Sequence, residues 1–473
     1  MSGLAGLFVQ AGWEVSGCDS AHVRPPAADT LAGLGITPSV GYSADHLRPA
    51  PDLVIVGNVI RESNPEDHAA RALGLPRTHM AAALRDFFIR ERTSIVVAGT
   101  HGKTTSTSML AFLLCDCGMN PGFFIGGVAR DLGTSFRRGQ EPYFVTEGDE
   151  YDCAWFDKSP KFLHYGPRYL LITNVEFDHA DIYADLDAVR AAFRRLVQSM
   201  PSDGRLVYCA ESPALVDVAR DAPCEAHSYS VEPSVPATWI ARGIRREGTR
   251  TRFNLSFDGI PMGEFSLRLA GRHNVQNATG VIALWHAMGL PLEDLARRLP
   301  RFRGAARRMQ VLTCGDLVLV DDFAHHPTEV RATLAAARQW WPSRRLWAVF
   351  EPKTQTSRRA VLQDDLASAL ALSDEVVIIR PHDLDTIPLR ERIDAGRLAD
   401  AIRAQGIQVR IASTHDQCAS IVQQGVGRET LVVLMSAGSL ADVAHTLTSY
   451  ATAQGLATTL EPDAPLCADQ DHR

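Results

Sequence analysis

No run in this 473-residue sequence approaches the roughly 18 consecutive apolar residues that a membrane-crossing helix requires. No charged segment followed by a short apolar one marks the N-terminus as a secretory signal. Polybasic tracts are missing as well: 48 Lys and Arg stand against 55 Asp and Glu, and the net charge of -7 disfavours nucleic acid as a partner. The nine cysteines are scattered, and Cys115 and Cys117 alone lie close in sequence, so neither a disulfide framework nor a zinc spacing is indicated. Together these absences give the expectation of a soluble, cytoplasmic protein without membrane or nucleic-acid partners. Nothing in the sequence marks an oligomeric state, and a monomer is the working expectation.

What is present is a pattern of short apolar runs alternating with helical spacing: "PDLVIVGN", "TSIVVAGT", "YLLITNVE", "DLVLVDDF", "RRLWAVFEP", "DEVVIIRP" and "ETLVVLMSAG". Buried strands alternating with helices make parallel α/β sheets, and the length predicts about three domains. The boundaries fall at 1–91, 92–308 and 309–450, with an antiparallel excursion over about 225–268, where "TRFNLSFDG" and "GEFSLRL" alternate polar and apolar residues. The tail, 451–473, is polar and aperiodic and is expected to be disordered. The first unit opens directly on a helix after Met1-Ser2-Gly3, followed by a strand ending at Asp19, so a nucleotide-type domain lacking its first strand is expected. Asp19 is by fold position a candidate uridine-side contact, although Ser16 and Asp19 equally suit a turn.

The chemistry begins at "AGTHGKTT", residues 98–105, between a strand and a helix. The usual GxxxxGK[ST] pattern fails, because Val97 occupies the position of its first glycine. Gly99 and Gly102 nevertheless let backbone amides approach an anion, with Thr100, His101 and Thr105 completing the loop. Lys103 is placed to reach the β- and γ-phosphates of ATP, and the Thr104 hydroxyl to ligate Mg2+. Acidic residues follow two further strands, in "YFVTEGDEYD" and "LLITNVEFDHAD", where ligands bind in open α/β sheets. Glu147 and His179 are the candidate metal ligands there, while Asp149, Glu150 and Asp178, taken singly, read as helix caps.

With "GRHNVQNATG" (271–280), "FRGAARRM" (302–309) and "VDDFAHHPTEV" (320–330) following in order, the chain resembles the Mur ligases of peptidoglycan synthesis. The resemblance covers nearly the whole chain, and the family's shorter GTxGKT loop accounts for the failed pattern. It implies three domains: a Rossmann-like one for the UDP-sugar, a central P-loop ATPase and a C-terminal Rossmann-like one for the incoming amine. It also implies a reaction in which ATP converts the carboxylate of UDP-N-acetylmuramate, or of its peptide, to an acyl phosphate that an amine attacks. By position, Lys103 and Thr104 match the phosphate and magnesium residues, and Glu147 and His179 the metal ligands. Asn274 and Asn277 match the pair that contacts adenine, where an amide can donate and accept at once. Arg308 and Asp322 match groups that the C-terminal domain brings to the nucleotide. His325 and His326, which alone would read as exposed or capping groups, are placed by the match at the amine and nucleotide cleft. A carbamylated lysine used by several members has no counterpart, because "LDAVRAAFRRLVQ" has no lysine and Arg194 is the nearest match.

Two activities within the family remain close: addition of L-alanine to UDP-N-acetylmuramate, and addition of the murein tripeptide L-alanyl-γ-D-glutamyl-meso-diaminopimelate to the same acceptor. The segment "YDCAWFDKSPKFLHYGPRY", with "GNVIRESNP" and "EFDHADIY", resembles the tripeptide form. "FEPKTQTSR" also lacks the arginine-rich loop expected where a small amino acid's carboxylate is held. The tripeptide is therefore the expected substrate. A folylpolyglutamate or cyanophycin-type ligase is disfavoured by the N-terminal domain. A nucleotide-binding regulator that has lost catalysis is disfavoured by intact Lys103, Glu147, His179, Arg308 and Asp322.

Overall fold

Residues 1–140 and 142–459 are described by the structure, a computed structural model. The expected α/β class holds, with two large sheets. The N-terminal unit starts with the Ser2–Gln10 helix and carries two small parallel pairs, Cys18–Asp19 with Ser39–Val40 and Val54–Val56 with Arg77–His79. Its first helix packs on the next unit through its glycines. A Cβ at Gly6 would lie 2.1 Å from the ring of Phe136, so only a bare backbone permits this approach. Leu4, Leu7 and Phe8 of that helix share one apolar core with Ile95, Val96 and Val97 of the central sheet.

The central sheet has ten strands, and its order explains the site. Thr93–Ala98 lies between Tyr143–Gly148 on one side and Tyr169–Ile172 on the other, all three parallel. The loops leaving these three strands therefore emerge side by side. The antiparallel excursion appears as Trp239–Glu247, Arg250–Phe257 and Ile260–Leu267, which extend the opposite edge of the sheet. The Lys103–Asp116 helix after the loop is buried along nearly its whole length and packs beside the Arg272–Ala287 helix. An all-round buried helix explains why its sequence shows so little amphipathic contrast.

The C-terminal unit is a seven-stranded sheet with separate apolar clusters, centred on Val320, Phe350 and Trp340 in one and on Leu319, Trp347 and Leu434 in the other. Alternate residues of each strand feed opposite faces, as the pleat requires. One expectation fails here. Residues 451–459 are ordered: the last helix runs to Ala453, and Ala457–Thr459 pairs antiparallel with Gln310–Gly315. A short edge strand needs only backbone partners, so a polar sequence can still form one. The rest of that tail, 460–473, lies outside the described residues. Among the described residues no helix is long and apolar enough to cross a membrane.

Candidate active site

The loop after Thr93–Ala98 is shaped by its neighbour strand. Thr100 N donates to Asn174 O at 3.1 Å, and His101 N donates to Asn174 Oδ1 at 2.8 Å. Gly99, at φ +128°, lies so close that a Cβ would sit 2.1 Å from Thr173 Oγ1. Gly102, at φ +79°, faces the Asn277 amide, with a Cβ there 2.4 Å from Asn277 Oδ1. Both glycines are required by approach as well as by backbone conformation. Thr173 and Asn174 went unnoticed in the sequence, although they directly follow a strand whose loop carries the acidic motif.

Lys103 Nζ donates to Gly99 O at 2.5 Å and to Glu150 Oε2 at 2.9 Å. Burial opposes its charge, but the carboxylates of Glu150, Asp149 and Glu147 outweigh it and raise the lysine above its ordinary value. Glu150 also accepts from His179 Nε2 at 3.1 Å, and Tyr183 Oη donates to the Glu150 carbonyl at 2.8 Å. Thr104 Oγ1 lies 2.9 and 3.1 Å from the two oxygens of Glu147, which also accepts from Gly126 N at 2.8 Å. Burial pushes the Glu147 carboxyl up, against the pull of Lys103. The two candidate metal ligands thus occupy adjacent halves of one cluster: Glu147 with Thr104, and His179 with Glu150.

The capping expectation for Asp149, Glu150 and Asp178 is overturned. After Gly148 the chain turns into the short Asp152–Ala154 and Asp157–Pro160 pair, and after Ile172 it stays irregular until Asp185 caps the next helix. With no helix start to serve, Asp149 pairs with Lys161 at 2.6 Å, Glu150 with Lys103, and Asp178 approaches His325 at 3.7 Å. Arg194, the position matched to the carbamylated lysine, bonds Asp217 and Asp221 at 2.7 and 2.6 Å instead. Asp19 accepts from Ser20 N at 2.6 Å, as a turn residue does.

A second network crosses to the C-terminal unit. His101 stands between Glu176, at 3.4 Å, and Glu329, at 3.3 Å, and its ring lies 4.6 Å from that of His326. Burial disfavours its charge, yet the two carboxylates raise it to about 10, and Glu176 falls correspondingly to about 2. Glu329 also reaches His325 Nδ1 at 3.2 Å and Arg308 at 3.7 Å. His326 caps the Pro327–Trp340 helix in a capping box with Glu329, while burial and His101 lower it to about 4. This histidine therefore caps the helix, and its ring lies against that of His101. Ala180 N donates to Thr356 Oγ1 at 3.1 Å, so the "EPKTQTSR" loop meets the segment after Asp178.

Between the units lies a cleft whose walls include His101, Gly102, Thr105, Asn274, Asn277, Arg308 and Asp322, all expected from sequence, together with Thr173, Asn174, His273 and Glu329. Arg308 stacks 4.7 Å over Phe323. Asp322 accepts from Met309 N at 2.6 Å and Ala324 N at 2.8 Å, which fixes the backbone on either side of the strand end near Arg308. Burial raises Asp322 to about 6 despite Arg308. Asn274 Nδ2 donates to Ala270 O at 2.7 Å, leaving neither asparagine as the helix cap, which is Gly271. Glu329 was missed, though its spacing of four from His325 on a helix start is the signal that could have found it.

A phosphate-type loop, a buried lysine–carboxylate cluster and a guanidinium at the junction with the second sheet suit a nucleotide-dependent ligase. Family models match residues 1–92 (Mur ligase family, catalytic domain), 97–285 (Mur ligase middle domain) and 307–438 (Mur ligase, glutamate ligase domain). The chain belongs to the Mur ligase family, whose enzymes use ATP. It is 39% identical over 383 residues to the UDP-N-acetylmuramate–L-alanyl-γ-D-glutamyl-meso-2,6-diaminoheptandioate ligase of Escherichia coli K12, covering 80% of this chain and 82% of that one. It is 33% identical to the UDP-N-acetylmuramate–L-alanine ligase of Methylococcus capsulatus, over 94% and 93% of the two chains. Among solved structures it is similar to a murein peptide ligase of Psychrobacter arcticus, with 32% identity, TM-score 0.71 and coverage of 95% and 96%. It is also similar to the UDP-N-acetylmuramate–alanine ligase of Thermotoga maritima, with 25% identity, TM-score 0.80 and coverage of 96% and 97%.

Proposed function

We propose that this chain joins L-alanyl-γ-D-glutamyl-meso-diaminopimelate to UDP-N-acetylmuramate through an acyl phosphate, at the expense of ATP. The observation that carries the reading is that the phosphate-type loop of one unit and Asp322 and Glu329 of the next share one cleft, with Arg308 at the junction. We assign residues 1–91 to the UDP-sugar, 92–308 to ATP and 309–450 to the peptide amine.

In this assignment the amides at the helix start, from Gly102 to Thr105, take the phosphates, with Gly99, Thr100 and His101 shaping the loop through Asn174, and Asn274 and Asn277 take adenine. Lys103 exchanges its present partners, Glu150 and the Gly99 carbonyl, for phosphate oxygens. Two carboxylate oxygens and a hydroxyl clustered at Thr104 and Glu147 are hard donors that suit Mg2+, with His179 beside them. The ion would neutralise phosphate charge. The carboxylate of the sugar must approach another anion, so positioning and fixed positive charge are what this site supplies. Arg308 offers a planar guanidinium to the transferring phosphoryl group, and Asp322 positions it by holding the adjoining backbone. His325, between Glu329 and Asp178, is the group proposed to take the proton that the attacking ammonium sheds.

The preference for tripeptide over alanine rests on the higher identity to the tripeptide ligase and on the Thr356 loop, which lacks the arginine-rich form for a small carboxylate and whose Arg358 and Arg359 are engaged with His382 O, Asp383 O and Glu391. The alanine ligase is the second reading, favoured by the Thermotoga likeness in shape. Phosphate release with UDP-N-acetylmuramate and ATP, comparing the tripeptide with L-alanine, separates them. Faster release with L-alanine would overturn the substrate assignment.

A further inference from the structure

Where the N-terminal unit meets the central one, four side chains converge to which the reading above gives no catalytic role: His79, Cys153, Asp157 and His164. We propose that they form a tetrahedral binding site for a zinc-type divalent cation, which staples the N-terminal domain to the central domain. His79 ends the Arg77–His79 strand of the first unit, whereas Cys153 and Asp157 lie in the Asp152–Ala154 and Asp157–Pro160 strands of the second and His164 in the turn of helix that follows.

The donor set is one thiol, two imidazoles and one carboxylate, the mixture that zinc takes. One donor atom from each lies within 4.8 Å of all the others. Tetrahedral zinc with bonds of about 2.0–2.3 Å sets its donors about 3.3–3.8 Å apart, so only the wider pairs must contract. Asp157 Oδ2 already lies 3.2 Å from both His79 Nε2 and His164 Nε2. Its other oxygen is fixed by Ser159, whose N and Oγ donate at 2.9 and 2.6 Å, as the supporting groups of a metal site fix its ligands. Cys153 is 1% exposed and His79 5%, so these two donors are shielded from competing water, while Asp157 and His164 are partly exposed.

Two partners compete with the metal. Ser159 Oγ lies 3.0 Å from His164 Nε2, and Ala82 N donates to His79 Nδ1 at 3.3 Å. A cation on His79 Nε2 moves the ring proton to Nδ1, so that long capping bond is exchanged for the metal bond. Binding also displaces the Cys153 thiol proton to solvent.

The test uses the full chain and metal alone. One equivalent of zinc is expected to survive gel filtration. Cobalt(II) in its place should give a thiolate-to-metal band in the near ultraviolet together with the intense visible bands of tetrahedral coordination. Cys153→Ser should abolish the near-ultraviolet band. Asp157→Asn and His79→Asn, the second of which keeps a residue able to cap the helix, should each weaken zinc binding by at least tenfold. His46→Ala removes a member of the separate Cys18, His46 and Glu66 group and should change neither readout. A wild-type chain that retains no zinc and shows no thiolate band overturns the proposal, as does a spectrum unchanged in Cys153→Ser. Either result leaves Asp157 as a carboxylate bridging two protonated imidazole nitrogens.

Discussion

The lysine cluster and the histidine network are adjacent but built on different principles. Lys103, Thr104, Glu147, Glu150 and His179 all come from the central unit and hold one another without help from outside. His101, Glu176 and Asp178 belong to that unit too, but their partners His325, His326, Thr328 and Glu329 come from the C-terminal one. The first cluster therefore lies within one unit, whereas the second joins a His101–Glu176 pair of the central unit to a His325–Glu329 pair of the C-terminal one. In the proposed assignment the phosphate-binding groups belong to one unit, and imidazole–carboxylate pairs span the boundary between two.

Substitutions can pull this distinction apart. Lys103→Ala should lower ADP formation by roughly 10³-fold, the scale of removing a principal charge stabiliser. Small-angle scattering should find its domain arrangement unchanged. A retained rate would place phosphate binding elsewhere. Glu329→Gln removes a charge shared by His101, His325 and Arg308, and should cost about 10- to 100-fold in kcat/KM for ATP, the worth of one or two charged hydrogen bonds. It should also open the domains; a compact variant with normal kinetics would show that the network does not hold the two units together.

Gly102→Ala should destabilise the chain by about 1–3 kcal/mol, through left-handed strain and the clash with Asn277, and a thermal melt reads this directly. The pH profile is a subtler probe. His101 is raised from 6.5 to about 10 in the folded protein, so its contribution is full below pH 6.5 and is lost as pH climbs toward 10. Stability of the wild type should fall over that window more steeply than that of His101→Asn, and parallel curves would refute the assignment. Arg194→Ala should leave ligation unchanged, since that side chain is occupied with Asp217 and Asp221. A marked loss of activity there would reinstate the position as a functional one.

Much of this was legible in advance because strand ends carry the chemistry in open α/β sheets. "GTHGKT" and "TEGDEYD" could be placed after strands from their apolar runs alone. What periodicity does not encode is strand order, and order is what sets the Glu147 and Asn174 loops on either side of Gly99. For the same reason Asp149, Glu150 and Asp178 looked like caps: a carboxylate after a strand looks alike whether a helix or a buried lysine follows. The cluster at Cys153 escaped notice similarly. No metal spacing is visible around Cys153, because one of its neighbours, His79, comes from another domain. The tail's edge strand escaped notice because backbone pairing leaves no pattern in side chains.

The contact between Gly102 and Asn277 has an evolutionary consequence. The missing side chain of one residue makes room for the amide of the other, across a long stretch of chain. A lineage that gained a side chain at 102 would have to shorten the one at 277, and so surrender the group assigned to the base. The dependence runs one way, since a smaller residue at 277 only relieves the contact. In the proposed assignment it ties the group that meets the base to the shape of the loop that meets the phosphates.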